Sequence, residues 1–228
     1  MSRSNPIDDT PHPCKRWMEW DGALGVVRYY DKEKEVNVKV DLPFTFVLLD
    51  KLAVIKGWHK SSKSGITSNE VKDTRGDPFV VKAFKAGIIA EGFYSDIKDH
   101  VIVAGGHFTL NCYIAFHMEQ DLTIGSIQLK GKALSEWMDF EKKNRNVLFK
   151  KAVRIVGAYE GKKGTIEFQV PIFEIHELSA ETDAQATSLD RELQEYLKNY
   201  FKRAKVEQTD EPHPPPPPAN PDEDEIPF

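Results

Sequence analysis

Apolar and polar residues alternate along most of the first 178 positions, the two-residue period of strands with one buried face. The clearest run is 107–118. Phe108, Leu110, Cys112, Ile114, Phe116 and Met118 fall on one face, and His107, Thr109, Asn111, Tyr113, Ala115 and His117 on the other. The first face is expected in the core and the second half exposed. Residues 122–130 read as its partner strand across a turn at Glu119-Gln120-Asp121. Residues 24–30 and 35–41 make a hairpin over Asp31-Lys32-Glu33-Lys34, residues 44–49 and 52–58 read as two further strands, and 79–84 and 88–94 pair around Ala86-Gly87. Between them, 59–77 is polar and rich in Ser, Gly and Lys and reads as a mobile loop. Residues 151–159 and 165–175 form a last hairpin.

The period changes to that of a helix twice. Residues 133–143 carry a short apolar stripe with Leu134, Trp137 and Met138. Residues 187–203 place Leu189, Leu193, Tyr196, Leu197 and Tyr200 on one side, with Thr187 and Asp190 resembling a capping box. After Lys205 no periodicity survives. Five prolines, Pro214 to Pro218, cannot build a core, and the segment reads as a disordered, semi-rigid spacer.

Charge follows this division. The whole chain carries −5, but residues 206–228 hold seven acids and no Lys or Arg. Without them, 29 acids face 31 bases, a net charge of +2. The acidity therefore lies in the tail, and a mildly basic body is compatible with a polyanion ligand. The tail ends in four consecutive acids, Asp222, Glu223, Asp224 and Glu225, followed by Ile226, Pro227 and Phe228. A solubility tail accounts for the acids but not for the apolar terminus. A partner with an apolar slot and a basic rim accounts for both.

This terminus resembles that of bacterial and phage single-stranded DNA-binding proteins, whose bacterial form ends in a few Asp residues and then Ile-Pro-Phe. The β-rich body followed by a linker and an acidic tip has the same general layout. The body is longer and the linker shorter and richer in proline than in the bacterial family, which fits a divergent phage-encoded member. The resemblance implies a mainly β fold, an oligonucleotide-binding (OB) β-barrel with long insertions, one or two helices and a disordered C-terminal tail. It also implies that Phe228 anchors replication, recombination and repair proteins, supported by Pro227 and Ile226 and by the acids from Asp222 to Glu225. On this reading the chain divides into an N-terminal arm (1–20), an OB-like domain (21–178), a C-terminal helix (179–205), a Pro-rich linker (206–221) and the tip (222–228).

Binding single strands without base preference needs aromatic faces for the bases and cations for the phosphates. Lys56 and Trp58 share a strand face beside Lys60 and Lys63, and Lys82 and Phe84 share another. Tyr113 lies on an otherwise polar face, and Arg154 on the less apolar face of its strand; Lys130 adds charge. The candidate contacts are therefore Trp58, Lys60, Lys63, Lys82, Phe84, Tyr113, Lys130 and Arg154. Phe84 at such a position is more often core than platform, and Trp58 reads equally as a residue that closes the barrel. The arm is expected to anchor through Trp17 or Trp20.

Other chemistry is sparse. No phosphate-binding glycine motif occurs, and two cysteines without a CxxC pair indicate neither a disulfide framework nor a zinc site. No cofactor or metal is expected. Asp77, Glu91 and Glu167 are the only carboxylates considered for a metal-dependent nuclease, and their spacing is loose. An interaction adaptor that binds no nucleic acid is the other alternative. With no apolar signal core and no membrane-length segment, the expectation is a soluble, cytoplasmic protein, in the host cell if phage-encoded. Oligomeric state stays open.

Overall fold

The computed structural model describes residues 11–210, with side chains described as far as residue 202. The first ten residues of the arm, linker residues 211–221 and the tip 222–228 lie outside the described residues. The chain forms β1 (Arg16–Asp21), β2 (Val26–Asp31), β3 (Val36–Val40), β4 (Phe44–His59), β5 (Ser64–Ser68), β6 (Phe79–Ala83), β7 (Gly87–Gly92), α1 (Tyr94–Ala104), β8 (Gly106–Met118), β9 (Asp121–Lys130), α2 (Gly131–Asn144), β10 (Ala152–Lys163), β11 (Ile166–His176) and α3 (Ala180–Asp210).

The strands join one sheet in the order β3-β2-β1-β9-β8-β4-β5-β6-β7, with β10 pairing both β4 and β11. The fold is mainly β, with three helices among the described residues. Gln169 of β11 donates to the Gly22 carbonyl in the β1–β2 turn, and the Trp20 indole donates to the Gln169 carbonyl at 2.9 Å. No ladder follows from these contacts, and the sheet is not closed.

Several expected elements differ from those observed, each for a physical reason. Residues 16–21, given to a loose arm, form β1, because Met18 and Trp20 are buried and the strand runs parallel to β9. The two strands read at 44–49 and 52–58 are the single strand β4. Asp50 and Lys51 do not break it, because the Lys51 ammonium pairs with Glu141 of α2, while Asp50 accepts from Lys72 and Gln194. An extra residue at Leu49 is absorbed as a bulge against β8. The loop read at 59–77 contains β5 and a bridge between Val71 and Ala53. Helix α1 was not expected; it buries Ile97 and Val101 against Phe79 and Val81. Helix α3 begins at Ala180, where the Ser179 hydroxyl accepts the Thr182 N–H at 3.1 Å, so Thr187 lies inside the helix and caps nothing. It also runs on to Asp210, five residues into the segment read as linker.

Register assigns each side chain to a face. The inner face carries Met18, Trp20, Phe46, Ile114, Phe116 and Ile127, closed by Trp137 of α2 and by Val153 and Ile155 of the β10–β11 hairpin. The same face continues past Ala53 and Ile55 to the smaller core under α1. The outer face carries Leu52, Tyr113, Ala115 and Ile124, and here α3 lays Ala186, Leu193 and Leu197 on the sheet. Helix α3 therefore covers only part of the outer face and leaves the rest open.

Candidate nucleic-acid interface

The open part of the outer face is built by period two across seven strands. Lys56 of β4 stands opposite Thr67 of β5, and Thr67 opposite Lys82 of β6. One step along, Trp58 stands opposite Gly65. The Phe84 N–H donates to the Gly65 carbonyl at 3.1 Å. The Phe84 ring lies over Gly65, within 3.0 Å of where a Cβ would be. A side chain at 65 would press on the ring, which would have to give by a few tenths of an ångström. Trp58 is 58% exposed and Phe84 77% exposed. The core alternative for Phe84 and the barrel-closing alternative for Trp58 do not hold, since both face solvent on one surface.

Lysines surround this pair. Lys60 and Lys63 are exposed in the β4–β5 turn, which internal hydrogen bonds organise: His59 Nδ1 to Ser62 Oγ at 2.7 Å and Ser62 Oγ to Ser64 Oγ at 2.8 Å. The Lys85 N–H donates to Ser64 Oγ at 3.2 Å, which brings the β6–β7 turn against the β4–β5 turn. Lys60, Lys63, Lys82 and Lys85 are all exposed around Trp58 and Phe84. Glu91 faces the same way from β7, opposite Val80. Lys56 is more enclosed. Burial lowers its pKa, against the pull of the Glu70 carboxylate, and its ammonium donates to Thr67 Oγ1 at 3.0 Å.

Further along the face the charges are mixed. Lys130 of β9 is exposed and lies 3.9 Å from Glu19. Arg28 of β2 is held by Glu19 and Asp21, each at 2.7 Å. Trp17 of β1 and Tyr30 of β2 add aromatic surface at 44% and 54% exposure. Neither was among the expected contacts. The alternation in Arg16–Asp21, with Met18 and Trp20 buried, was the available signal for Trp17.

Two expected contacts lie elsewhere. Tyr113 is fully buried under α3. Its hydroxyl donates to Glu70 Oε2 at 2.7 Å and lies 3.3 Å from His12 Nε2. Asn111 donates to Glu70 Oε1 at 2.5 Å and accepts from Ser126. The polar face of β8 is thus an internal network and offers no stacking platform. Burial raises the Glu70 pKa, with the Tyr113 and Asn111 bonds opposing, and burial also raises the Tyr113 pKa. Arg154 pairs with Thr45 at the far end of β4, its Nε donating to Thr45 Oγ1 at 2.9 Å and its Nη2 lying 2.7 Å from His176 Nε2. Thirteen strand residues separate Thr45 from Trp58, roughly 40 Å along the strand. The structure therefore brings together Trp58, Lys60, Lys63, Lys82 and Phe84, sets Lys130 on the same face, and leaves Tyr113 and Arg154 apart. The tip residues Asp222 to Phe228 lie outside the described residues.

Both cysteines are buried and free, and burial pushes the Cys14 thiol up to about 12. Among the described residues, no group of three or more His, Cys, Asp or Glu side chains converges to hold a metal ion. Asp77, Glu91 and Glu167 sit in the β5–β6 loop, β7 and β11, and Glu167 pairs with Lys162. No helix among the described residues is long and apolar enough to cross a membrane. No family model matches the chain, and comparisons with curated proteins and with solved structures found no match.

Proposed function

We propose that the chain is a non-enzymatic single-stranded DNA-binding protein that holds the strand on the open part of its outer sheet face and recruits replication or recombination proteins through its C-terminal tip. The observation that carries this reading is the exposure on one face of Trp58 and of Phe84, whose ring lies over Gly65 opposite Trp58, among the exposed Lys60, Lys63, Lys82 and Lys85. Stacked aromatics hold bases of any identity, at ~1–3 kcal/mol per base, while lysines follow the phosphates. Large exposed aromatics gathered on one face mark a binding surface. The Ile226-Pro227-Phe228 terminus after four acids supports the same reading through its resemblance to the single-strand-binding family. The kinship with OB-like proteins lies in the use of a β surface rather than in barrel closure.

Tryptophan fluorescence titration of the full chain with oligo-dT, against a duplex of equal length, tests the proposal. Quenching by the single strand is expected, with an affinity that falls as salt rises. Four lysine–phosphate contacts correspond to a log–log salt slope of about −3. Preference for the duplex, or no binding by either, would contradict it, and the latter would leave an interaction adaptor.

A further inference from the structure

Trp17 stands between two hollows in the open part of the outer face. On one side a hollow of 190 Å³ reaches under the flank of α3, walled by Lys56, Glu70 and Tyr196. On the other, a hollow of 150 Å³ lies over β2 and β3, walled by Arg28, Tyr30 and Asn37. Gln128, one step along from Trp17's cross-strand neighbour Ser126, lines both. Each hollow is smaller than the ~300–1,000 Å³ of sites that hold cofactor-sized molecules. Each equals the space of roughly five or six waters at ~30 Å³ apiece, the scale of one planar ring system.

The walls suit such a ring. The Trp17 indole is braced edge-on by His12, with centroids 4.8 Å apart, and His12 packs in turn on Tyr196 at 4.5 Å. The indole is thus held by His12 while 44% of the residue stays exposed. The polar lining of each hollow includes an amide beside charged and hydroxyl groups. Gln128 serves both hollows and Asn37 the second, and each amide carries donors and an acceptor, as base edges do. A phosphate is poorly served. Arg28 is already neutralised by Glu19 and Asp21, and the Glu70 carboxyl stands beside Lys56 in the larger hollow.

Building on the single-strand reading above, we propose that two successive unstacked bases of the bound strand enter these hollows, one on either face of Trp17, with polar edges on Gln128 and Asn37. The phosphates then lie outside, toward Lys130 and the lysines around Trp58. Trp17 becomes a stacking fin within the binding face, and the strand's path extends from the Trp58–Phe84 end across β4, β8 and β9 to β1.

A full chain carrying Trp58→Phe isolates the fin. Trp20 and Trp137 are buried at 5% and 0% exposure, which leaves Trp17 as the solvent-facing indole. Oligo-dT is expected to quench this variant. A strand of the same length in which every nucleotide is abasic, presenting phosphates without bases, is expected not to quench it even when bound. Gln128→Ala in the native background is expected to weaken oligo-dT binding about 5- to 10-fold and to leave binding of the abasic strand unchanged. If oligo-dT binds the native chain but Trp58→Phe is not quenched and Gln128→Ala costs nothing, the hollows hold no bases and the proposal falls, while the single-strand reading stands. Quenching by free thymidine monophosphate at the strand's own base concentration would assign the hollows to a mononucleotide and also overturn it. Absence of any oligo-dT binding by the native chain would remove both readings together.

Discussion

Replacing Phe84 by alanine separates binding from folding at one position. A buried phenylalanine cut back to alanine costs ~3–5 kcal/mol. Phe84 is 77% exposed, and its contact is with the backbone of Gly65. Scaled by the quarter of its surface that is covered, the stability cost is about 1 kcal/mol. If Phe84 stacks on a base, the same change removes ~1–3 kcal/mol of binding, or about 5- to 150-fold in Kd. Urea unfolding and fluorescence anisotropy with labelled oligo-dT measure the two quantities on the same sample. Gly65→Ala is a graded companion. Its methyl would meet the ring at 3.0 Å and displace it without deleting it, so a smaller loss of affinity is expected. Unchanged affinity in Phe84→Ala, for a strand that the native chain binds, would refute the stacking role. A stability loss of several kcal/mol would refute the exposed placement itself.

Tyr113→Phe should cost about 1–3 kcal/mol of stability in urea unfolding, because it removes the donor to the buried Glu70 carboxyl, and should leave oligo-dT affinity unchanged. Leu193→Ala, which empties a fully buried site where α3 meets the sheet, should cost about 2–5 kcal/mol by the same measurement. Lys63→Gln and Lys82→Gln should each make the log–log salt slope for oligo-dT shallower by about 0.7, read from titrations across a salt series. Burial pushes the His12 imidazole down to about 4 from its ordinary 6.5, so it stays neutral in the folded chain where the unfolded chain protonates. The stability this contributes is complete above pH ~6.5 and is lost as pH falls toward about 4. Thermal unfolding between those limits should show the native chain losing more stability than His12→Gln, a comparison in which the opposite titration of Glu70, whose pKa is raised, cancels.

Period two made β2, β3, β6 to β9 and the β10–β11 hairpin legible, because each packs one face, fully or partly, against the core. The alternation in β8 was read correctly for Cys112, Ile114 and Phe116 but not for the opposite face, since nothing local to 107–118 reports that α3 returns from some eighty residues away to cover it. Tyr113 is the consequence. An Asn, a Thr and a Tyr in alternation look like a wet surface, yet here Asn111 and Tyr113 are paired with Glu70, Ser126 and His12, which are distant in sequence, and the Thr109 hydroxyl donates to the His107 carbonyl. Helix α1 was missed because its apolar content is concentrated in Val101-Ile102-Val103, where Val103 is 88% exposed and only Ile97 and Val101 keep the helical spacing on the core. Strand β5 was hidden because Ser64, Gly65, Thr67 and Ser68 read as loop residues, and Ile66 alone supplies the core contact. The Trp58 and Phe84 assignments followed from strand alternation beside lysines. That the Phe84 ring lies over Gly65, the residue opposite Trp58, depends on cross-strand register, which composition does not encode.

Photocrosslinking decides most directly whether the open outer face is where the strand lies. A bromodeoxyuridine-substituted oligonucleotide is bound to the full chain at low salt, irradiated, and the adducts are mapped by peptide mass spectrometry. Adducts are expected at Trp58 and Phe84. Adducts confined to α2 or the β10–β11 hairpin, with none on β4 to β6, would place the strand on the other side of the molecule and contradict the outer-face assignment.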